Sequence, residues 1–184
     1  QGIVWVKKHA ADYGVDASRL GMTGASAGGH LASLVAVNNE SSDAQPGNER
    51  ASVKAVGVFF PPTDLTDYRA PETEGSVDDV NPIAKRVLSN SGTIEELTKE
   101  QIHQRLADIS PALRVTKGAP PFLLIHGDAD TLVPLEQSQK LQNALKEQNV
   151  PVELIVKAGG GHPWPTLHEE VAVLADWFDE QLKQ

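Results

Sequence analysis

The sequence has 184 residues, of which 40% are hydrophobic and 22% are charged, and its formal net charge is −9. This length and balance predict one folded domain with a sizeable core rather than a disordered chain. The negative charge argues against nucleic acid or an anionic membrane as the partner, because both would repel it. The absence of cysteine excludes a disulfide framework and thiolate metal sites. No apolar run approaches the roughly 20 residues that cross a bilayer.

The first residues differ from a natural N-terminus. The chain opens at Gln1 without Met, inside an amphipathic pattern, and it lacks the basic segment and long apolar core of a signal peptide. We therefore expect it to be the later part of a longer protein. Apolar residues at helical spacing from Ile3 to Tyr13 predict an opening helix that ends at Gly14.

Strand-sized apolar runs and helical patterns then alternate along the chain. The predicted strands are residues 20–23, 53–60, 122–125 and 152–156. Helices are predicted between and after them at residues 28–37, 135–148 and 167–182. This alternation predicts an α/β fold with a mostly parallel sheet and helices on both faces. Ligands bind such sheets at the carboxyl ends of the strands.

Residues 63–110 interrupt this alternation. The segment is acidic and rich in turn-forming residues, and it contains a predicted helix at 94–106. Thr93 is the expected N-cap, with Glu96 three residues later completing a capping box. Because no linker divides the chain, we interpret residues 1–184 as one domain in which 63–110 is an insertion that resembles a cap.

Ser26 is the candidate nucleophile. It lies in Gly24-Ala25-Ser26-Ala27-Gly28, between a predicted strand and a predicted helix. This G-x-S-x-G pattern is typical of a tight turn that projects the serine hydroxyl above a sheet, with small residues at both ends allowing the turn to close. The alternative is a serine that only caps the following helix.

The candidate acid follows the third predicted strand, where Asp128 and Asp130 compete. Asp128 lies nearest the strand and is expected to bind backbone N–H groups, so Asp130 is our choice. Asp64 is a second rival, expected instead to shape the pocket or cap the next turn. The candidate base is His162, because it follows the last strand on a glycine-rich loop and completes the chain order Ser, Asp, His.

The other histidines fit supporting or surface positions. His168 is the rival base, but it falls inside the closing helix. We expect His126 to brace the acid loop and His30 to support the turn at Ser26, while His9 and His103 lie on helix surfaces. These histidines form no metal-binding pattern, so no metal is predicted. Trp164 could form a pocket wall or pack against the last helix.

The residues resemble those of α/β-hydrolase esterases, and most closely the carbohydrate-esterase group that includes bacterial feruloyl and acetylxylan esterases. The resemblance spans nearly the whole chain. It rests on residues 19–30, Pro62-Thr63-Asp64-Leu65, Ser110-Pro111, residues 126–134 and Gly161-His162. It implies ester hydrolysis without a cofactor by Ser26, Asp130 and His162, with the Ala27 N–H in the oxyanion hole. It also implies that the insertion forms part of the pocket.

The family pattern differs from this chain at one place. Such enzymes have a His-Gly-Gly segment upstream of the nucleophile turn, which supplies a second oxyanion N–H and follows early strands. Without those strands, the strand at 20–23 would be an unpaired apolar edge. We expect sequence outside this chain or a second copy, in a homo-oligomer, to cover that edge.

The sequence thus predicts a serine esterase for small-molecule esters. The low aromatic content of 5% favours short, soluble acyl groups over lipids. Two alternatives are a serine peptidase of the prolyl-oligopeptidase type and a catalytically silent binding module with the same fold.

Overall fold

A computed structural model of the chain describes residues 1–38, 52–68 and 97–183. Its sheet contains four parallel strands in the order β1-β2-β3-β4. The strands are β1 (Gly21–Ala25), β2 (Ala55–Phe59), β3 (Phe122–Gly127) and β4 (Val152–Lys157). The predicted parallel sheet is confirmed, with strand bounds that differ by at most two residues.

The register brings the carboxyl ends of the strands to one edge of the sheet. Ala25 lies opposite Phe59, and Phe59 lies opposite Ile125. Gly127 and Lys157, the last residues of β3 and β4, are also paired with each other. The loops that follow all four strands therefore emerge side by side, which is where ligands bind parallel sheets.

Five helices and two short 3-10 helices are described. The opening helix, α1 (Gly2–Lys8), is followed by a 3-10 helix at Ala10–Tyr13, so the predicted single helix is split at His9 before it ends at Gly14. A second 3-10 helix, Pro111–Leu113, precedes β3. The remaining helices are α2 (Ala27–Val37), α3 (Lys99–Asp108), α4 (Leu135–Glu147) and α5 (Leu167–Leu182).

The start of α3 corrects the predicted helix at 94–106. Thr98 is extended and caps the helix, because its hydroxyl accepts the Gln101 N–H while the Gln101 side chain accepts the Thr98 N–H. Residues 93–101 contain this Thr-x-x-Glu/Gln pattern twice, five residues apart, and the predicted helix follows the earlier copy. Thr93 and Glu96 lie outside the described residues.

Helices cover both faces of the sheet, as predicted. On one face, Leu141 and Leu145 of α4 and Ala36 of α2 pack against a layer that includes Val56 and Leu124. On the opposite face, α5 packs against the other side chains of the same strands, among them Phe59, Leu123 and Ile125. Strand residues alternate between the two faces, so the two inner strands are buried on both sides.

A glycine in the middle of β2 allows α5 to lie close to the sheet. A Cβ atom added at Gly57 would stand 2.0 Å from the Leu174 Cδ1 atom. A larger residue in this position would force Leu174 away from the strand. This close packing brings the start of α5 near the loop that follows β4.

The strand β1 lies at one end of the sheet. Within the described part of the chain it pairs with β2 alone, and Thr23 and Ala25 are exposed. That further sequence or a second copy covers this edge stays a prediction. In the described ranges, no helix combines the length and apolar character needed to span a membrane.

Candidate active site

Ser26 occupies a strained turn between β1 and α2. Its backbone φ of 53° is in the left-handed region, which residues with a Cβ rarely adopt. Such strain persists only where the surrounding structure enforces it, and it is typical of functional positions. The small residue that this turn requires is Gly24, where an added Cβ would stand 2.4 Å from the Gly28 carbonyl carbon. At Gly28 itself an added Cβ meets nothing within 4 Å, so the predicted steric need there is wrong.

The three residues predicted as nucleophile, base and acid come together at the carboxyl edge of the sheet. The distance between His162 Nε2 and Ser26 Oγ is 2.9 Å. On the other side of the imidazole, His162 Nδ1 lies 2.6 Å from Asp130 Oδ2. The Asp130 side chain is fully buried and that of His162 is 11% exposed.

The partners of His162 determine its tautomer. A carboxylate oxygen only accepts hydrogen bonds, so Nδ1 carries the proton and donates to Asp130. In the neutral ring, Nε2 therefore has a lone pair that accepts the Ser26 hydroxyl proton. This is the state in which an imidazole can remove a proton from a serine.

The surroundings of Asp130 keep its carboxylate charged. Burial alone would raise the pKa of Asp130, but the neighbouring His126 side chain and the hydrogen bonds from His162 and the Val133 N–H outweigh it and hold the pKa well below its ordinary value. Its Oδ1 atom accepts the N–H groups of Leu132 and Val133, each at 2.9 Å. The charge is thus stabilised from several directions, as hydrogen bonds to an ionised carboxylate are expected to do.

His126 braces the acid loop, as the sequence predicted. Its ring is completely buried, and its Nε2–H donates to the Val133 carbonyl oxygen at 2.8 Å. The same nitrogen lies 3.5 Å from Asp130 Oδ2, a longer electrostatic contact. Its Nδ1 is 2.7 Å from the Ser138 hydroxyl at the start of α4.

The rival residues occupy other positions. Asp128 is exposed, and its carboxylate accepts the Gly159 N–H at 2.6 Å. His30 Nδ1–H donates to the Pro62 carbonyl oxygen at 3.0 Å, in the loop after β2, so its support of the turn at Ser26 stays a prediction. Burial lowers the pKa of His30, and the bond to Pro62 only partly opposes this effect. His103 and His168 are exposed on α3 and α5.

The two candidate pocket residues are both engaged in structural contacts. Asp64 caps the next turn, since its Oδ1 accepts the N–H and the hydroxyl of Thr66, and its Oδ2 lies 2.9 Å from Lys140 Nζ. Trp164 is 5% exposed and packs between the sheet and α5. Its indole N–H donates to Glu170 of α5 at 2.8 Å. Of the two alternatives for Trp164, the structure therefore shows packing against the last helix.

Sequence reasoning missed Gln137, which holds the loop after β2 in place. Its Oε1 accepts the N–H groups of Thr63 and Asp64, each at 2.8 Å, and its Nε2 donates to the Asp67 carbonyl oxygen. The signal was available, because Gln137 falls on the inner face of α4, one and two turns before the buried leucines. A polar residue on a core-facing stripe has to find hydrogen-bond partners.

The N-terminus of α2 points its first N–H groups toward the same site. Ala27 is the first residue of this helix, so its N–H has no acceptor within the helix. The helix dipole adds partial positive charge there. Among the described residues, no group of three or more histidine, aspartate or glutamate side chains could hold a metal ion.

Comparisons with known proteins identify the family of this chain. The model of the BD-FAE family matches residues 1–145. "Probable carboxylic ester hydrolase LipM" of Mycobacterium tuberculosis is 32% identical over 149 residues, which are 80% of this chain and 32% of that protein. The chain thus spans about a third of the length of this curated relative.

Solved structures extend the similarity to the whole chain. A "Truncated form of carbohydrate esterase from gut microbiota" is 30% identical with a TM-score of 0.79, covering 100% of this chain and 66% of that one. Butyrate-bound esterase Est2 of Thermogutta terrifontis is 27% identical with a TM-score of 0.67, covering 96% of this chain and 61% of its own. These similarities confirm the resemblance to α/β-hydrolase esterases of the carbohydrate-esterase group.

Gly24 and Gly28 provide a matched test of the turn. We expect Gly24→Ala to lower the free energy of unfolding by about 1–3 kcal/mol, because the new Cβ overlaps backbone atoms that cannot move aside. Gly28→Ala should leave stability unchanged or slightly higher, since alanine is the better helix former. Urea unfolding of the two variants measures the difference. Equal midpoints would contradict the steric argument.

The lowered pKa of Asp130 predicts a pH-dependent contribution to stability. As pH falls below the ordinary value of 3.8, the unfolded chain takes up the proton before the folded one does, so folding loses stability. Asp130→Asn lacks this charge. We therefore expect the stability advantage of the wild type over Asp130→Asn to be full near pH 6 and to shrink below pH 4. Urea unfolding across this range checks it, and a constant difference would refute it.

Proposed function

The chain belongs to the BD-FAE family and has the α/β-hydrolase fold, and on that premise we propose that it hydrolyses carboxylic esters through Ser26, His162 and Asp130. The observation that carries the proposal is the continuous path of hydrogen bonds from Ser26 Oγ through the imidazole to Asp130. A serine hydroxyl needs such a base to become a nucleophile.

The proposed reaction proceeds through an acyl-enzyme. Ser26 Oγ attacks the carbonyl carbon of the ester while His162 Nε2 takes the hydroxyl proton, and Asp130 stabilises the imidazolium. His162 then gives this proton to the leaving alcohol as its C–O bond breaks. A water molecule attacks the acyl group in the same way, His162 accepts its proton, and the acid leaves as Ser26 regains its hydroxyl.

The Ala27 N–H is the proposed oxyanion donor within this chain. It immediately follows the nucleophile and lies at the positive end of α2, where developing negative charge is favoured. One such donor is typically worth ~10²–10³ in turnover. The family resemblance implies a second donor from a His-Gly-Gly segment, which this sequence does not contain.

Short acyl esters are the proposed substrates, with acetyl or feruloyl esters of carbohydrates as the natural class. Relatives named for carbohydrate esterase activity and a butyrate-bound esterase support this choice. The insertion at 63–110 is proposed to form part of the pocket. Its described parts contribute Leu65, Tyr68 and Leu106 to one cluster with Val133 of the acid loop.

Ser26→Ala should abolish ester hydrolysis, and Ser33→Ala is its matched control. Removal of the nucleophile is expected to lower kcat on p-nitrophenyl acetate by at least about 10⁴-fold. Ser33 lies in α2, the helix that begins directly after Ser26, and it is completely buried. Within the described residues its hydroxyl has no hydrogen-bond partner, so its loss should change neither activity nor folding. Labelling by a fluorophosphonate should follow the same pattern. A wild-type chain that neither hydrolyses nor labels would instead be a silent binding module.

A second experiment separates an esterase from a peptidase. Acetyl esters and acetyl amides of the same aromatic leaving group, p-nitrophenyl acetate and p-nitroacetanilide, differ only in the bond cleaved. We expect turnover of the ester and no measurable turnover of the amide. Cleavage of an acetylated peptide amide at a comparable kcat/KM would favour the peptidase.

A further inference from the structure

Phe60 has an unusual backbone conformation beside the proposed site, although the proposed reaction does not involve it. It follows the last residue of β2, and its φ of 37° makes it one of three described non-glycine residues with positive φ. For an aromatic residue this conformation is a true outlier, and an observed outlier of this kind points to a function. The Phe60 ring is 3% exposed, so solvent does not explain its position.

The ring of Phe60 contacts the proposed base. The centroids of Phe60 and His162 are 4.3 Å apart, with the rings tilted by 60°. Phe60 also contacts Trp164, edge-on at 5.8 Å, and the indole N–H of Trp164 donates to Glu170. Glu170 is in turn paired with Lys157 at 2.7 Å. The ring of Phe60 therefore contacts an anchored indole as well as the imidazole.

The two hydrogen bonds of His162 leave one motion of the ring unrestrained. They hold Nδ1 and Nε2 and so define an axis through the imidazole, but the ring can roll about that axis with little change in either distance. A side chain packed beside the ring restricts this roll. The electron-rich face of an aromatic ring also attracts the positive charge that His162 gains during the reaction.

We propose that Phe60 is a positioning residue for His162, holding the imidazole in the orientation that bridges Ser26 and Asp130. This inference rests on the proposed function for its catalytic consequence, but not for the contact itself. The strained backbone of Phe60 is what directs its ring to the imidazole at the end of β2.

Phe59 offers a matched control, because it is the adjacent residue, is 5% exposed and belongs to the same aromatic cluster. Its ring contacts those of Phe60 and Trp164 at 6.2 and 6.5 Å and, among the described residues, does not contact the ring of His162. Phe59→Leu and Phe60→Leu remove the same atoms from the same core. A purely structural role would make the two variants alike in activity as well as in stability.

Phe60→Leu should lower kcat on p-nitrophenyl acetate by about 10–100-fold with KM within about twofold, since misplacement of a reacting group by 1 Å can cost ~10² in rate. Phe59→Leu should keep kcat within about twofold while losing similar thermal stability. Equal kcat values for the two variants would overturn the proposal. Phe60→Met, which keeps an unbranched apolar side chain, replaces the leucine variant if that fails to fold.

Proton NMR of the same chains separates this proposal from the proposed function. The Nδ1 proton of His162, in its short bond to Asp130, should give a strongly downfield resonance in the wild type and in Phe59→Leu. In Phe60→Leu we expect it to broaden or disappear. This readout needs no turnover, so it tests Phe60 even if the wild type proves inactive. An unchanged resonance in Phe60→Leu would overturn the proposed role of Phe60 without contradicting the proposed esterase function.

Discussion

The site depends on the loop after β4, which has to cross the carboxyl edge of the sheet to reach the serine that follows β1. Ser26 follows β1 and His162 follows β4, and these are the two outermost of the four described strands. With strands about 4.8 Å apart, their ends are separated by about 14 Å, so the loop after β4 has to return over β3 and β2 to reach the serine. The two hydrogen bonds of the His162 imidazole and the side chains packed against it hold the loop in this position.

Each inner strand is followed by a residue that holds His162 in place. The loop after β3 supplies Asp130, which holds Nδ1 of the imidazole, and His126 holds the acid loop in turn. The end of β2 supplies Phe60, whose ring contacts His162. The loop after β2 is then fixed from α4 by Gln137. The order of the strands therefore explains why residues from all four loops meet.

The close packing of α5 on one face of the sheet also helps to hold the loop that carries His162. Gly57 allows Leu174 to approach the sheet, and Glu170 on the same helix anchors the indole of Trp164. Trp164 lies two residues after His162, so fixing the indole limits the path of the loop that carries the base. A tryptophan with its N–H satisfied can be buried at little cost, which suits it to this anchoring position.

The sequence by itself determined the parallel α/β architecture and the three residues that meet at the site. Strand-sized runs alternating with amphipathic patterns carry that information locally, and the G-x-S-x-G turn and the order Ser, Asp, His selected Ser26, Asp130 and His162 from several candidates. Only the tertiary structure decided the start of α3, because two capping patterns five residues apart were locally equivalent. It also decided the packing of Trp164 and the roles of Phe60 and Gln137. Those roles depend on which strands lie between β1 and β4, and no local pattern encodes contacts between residues so distant along the chain.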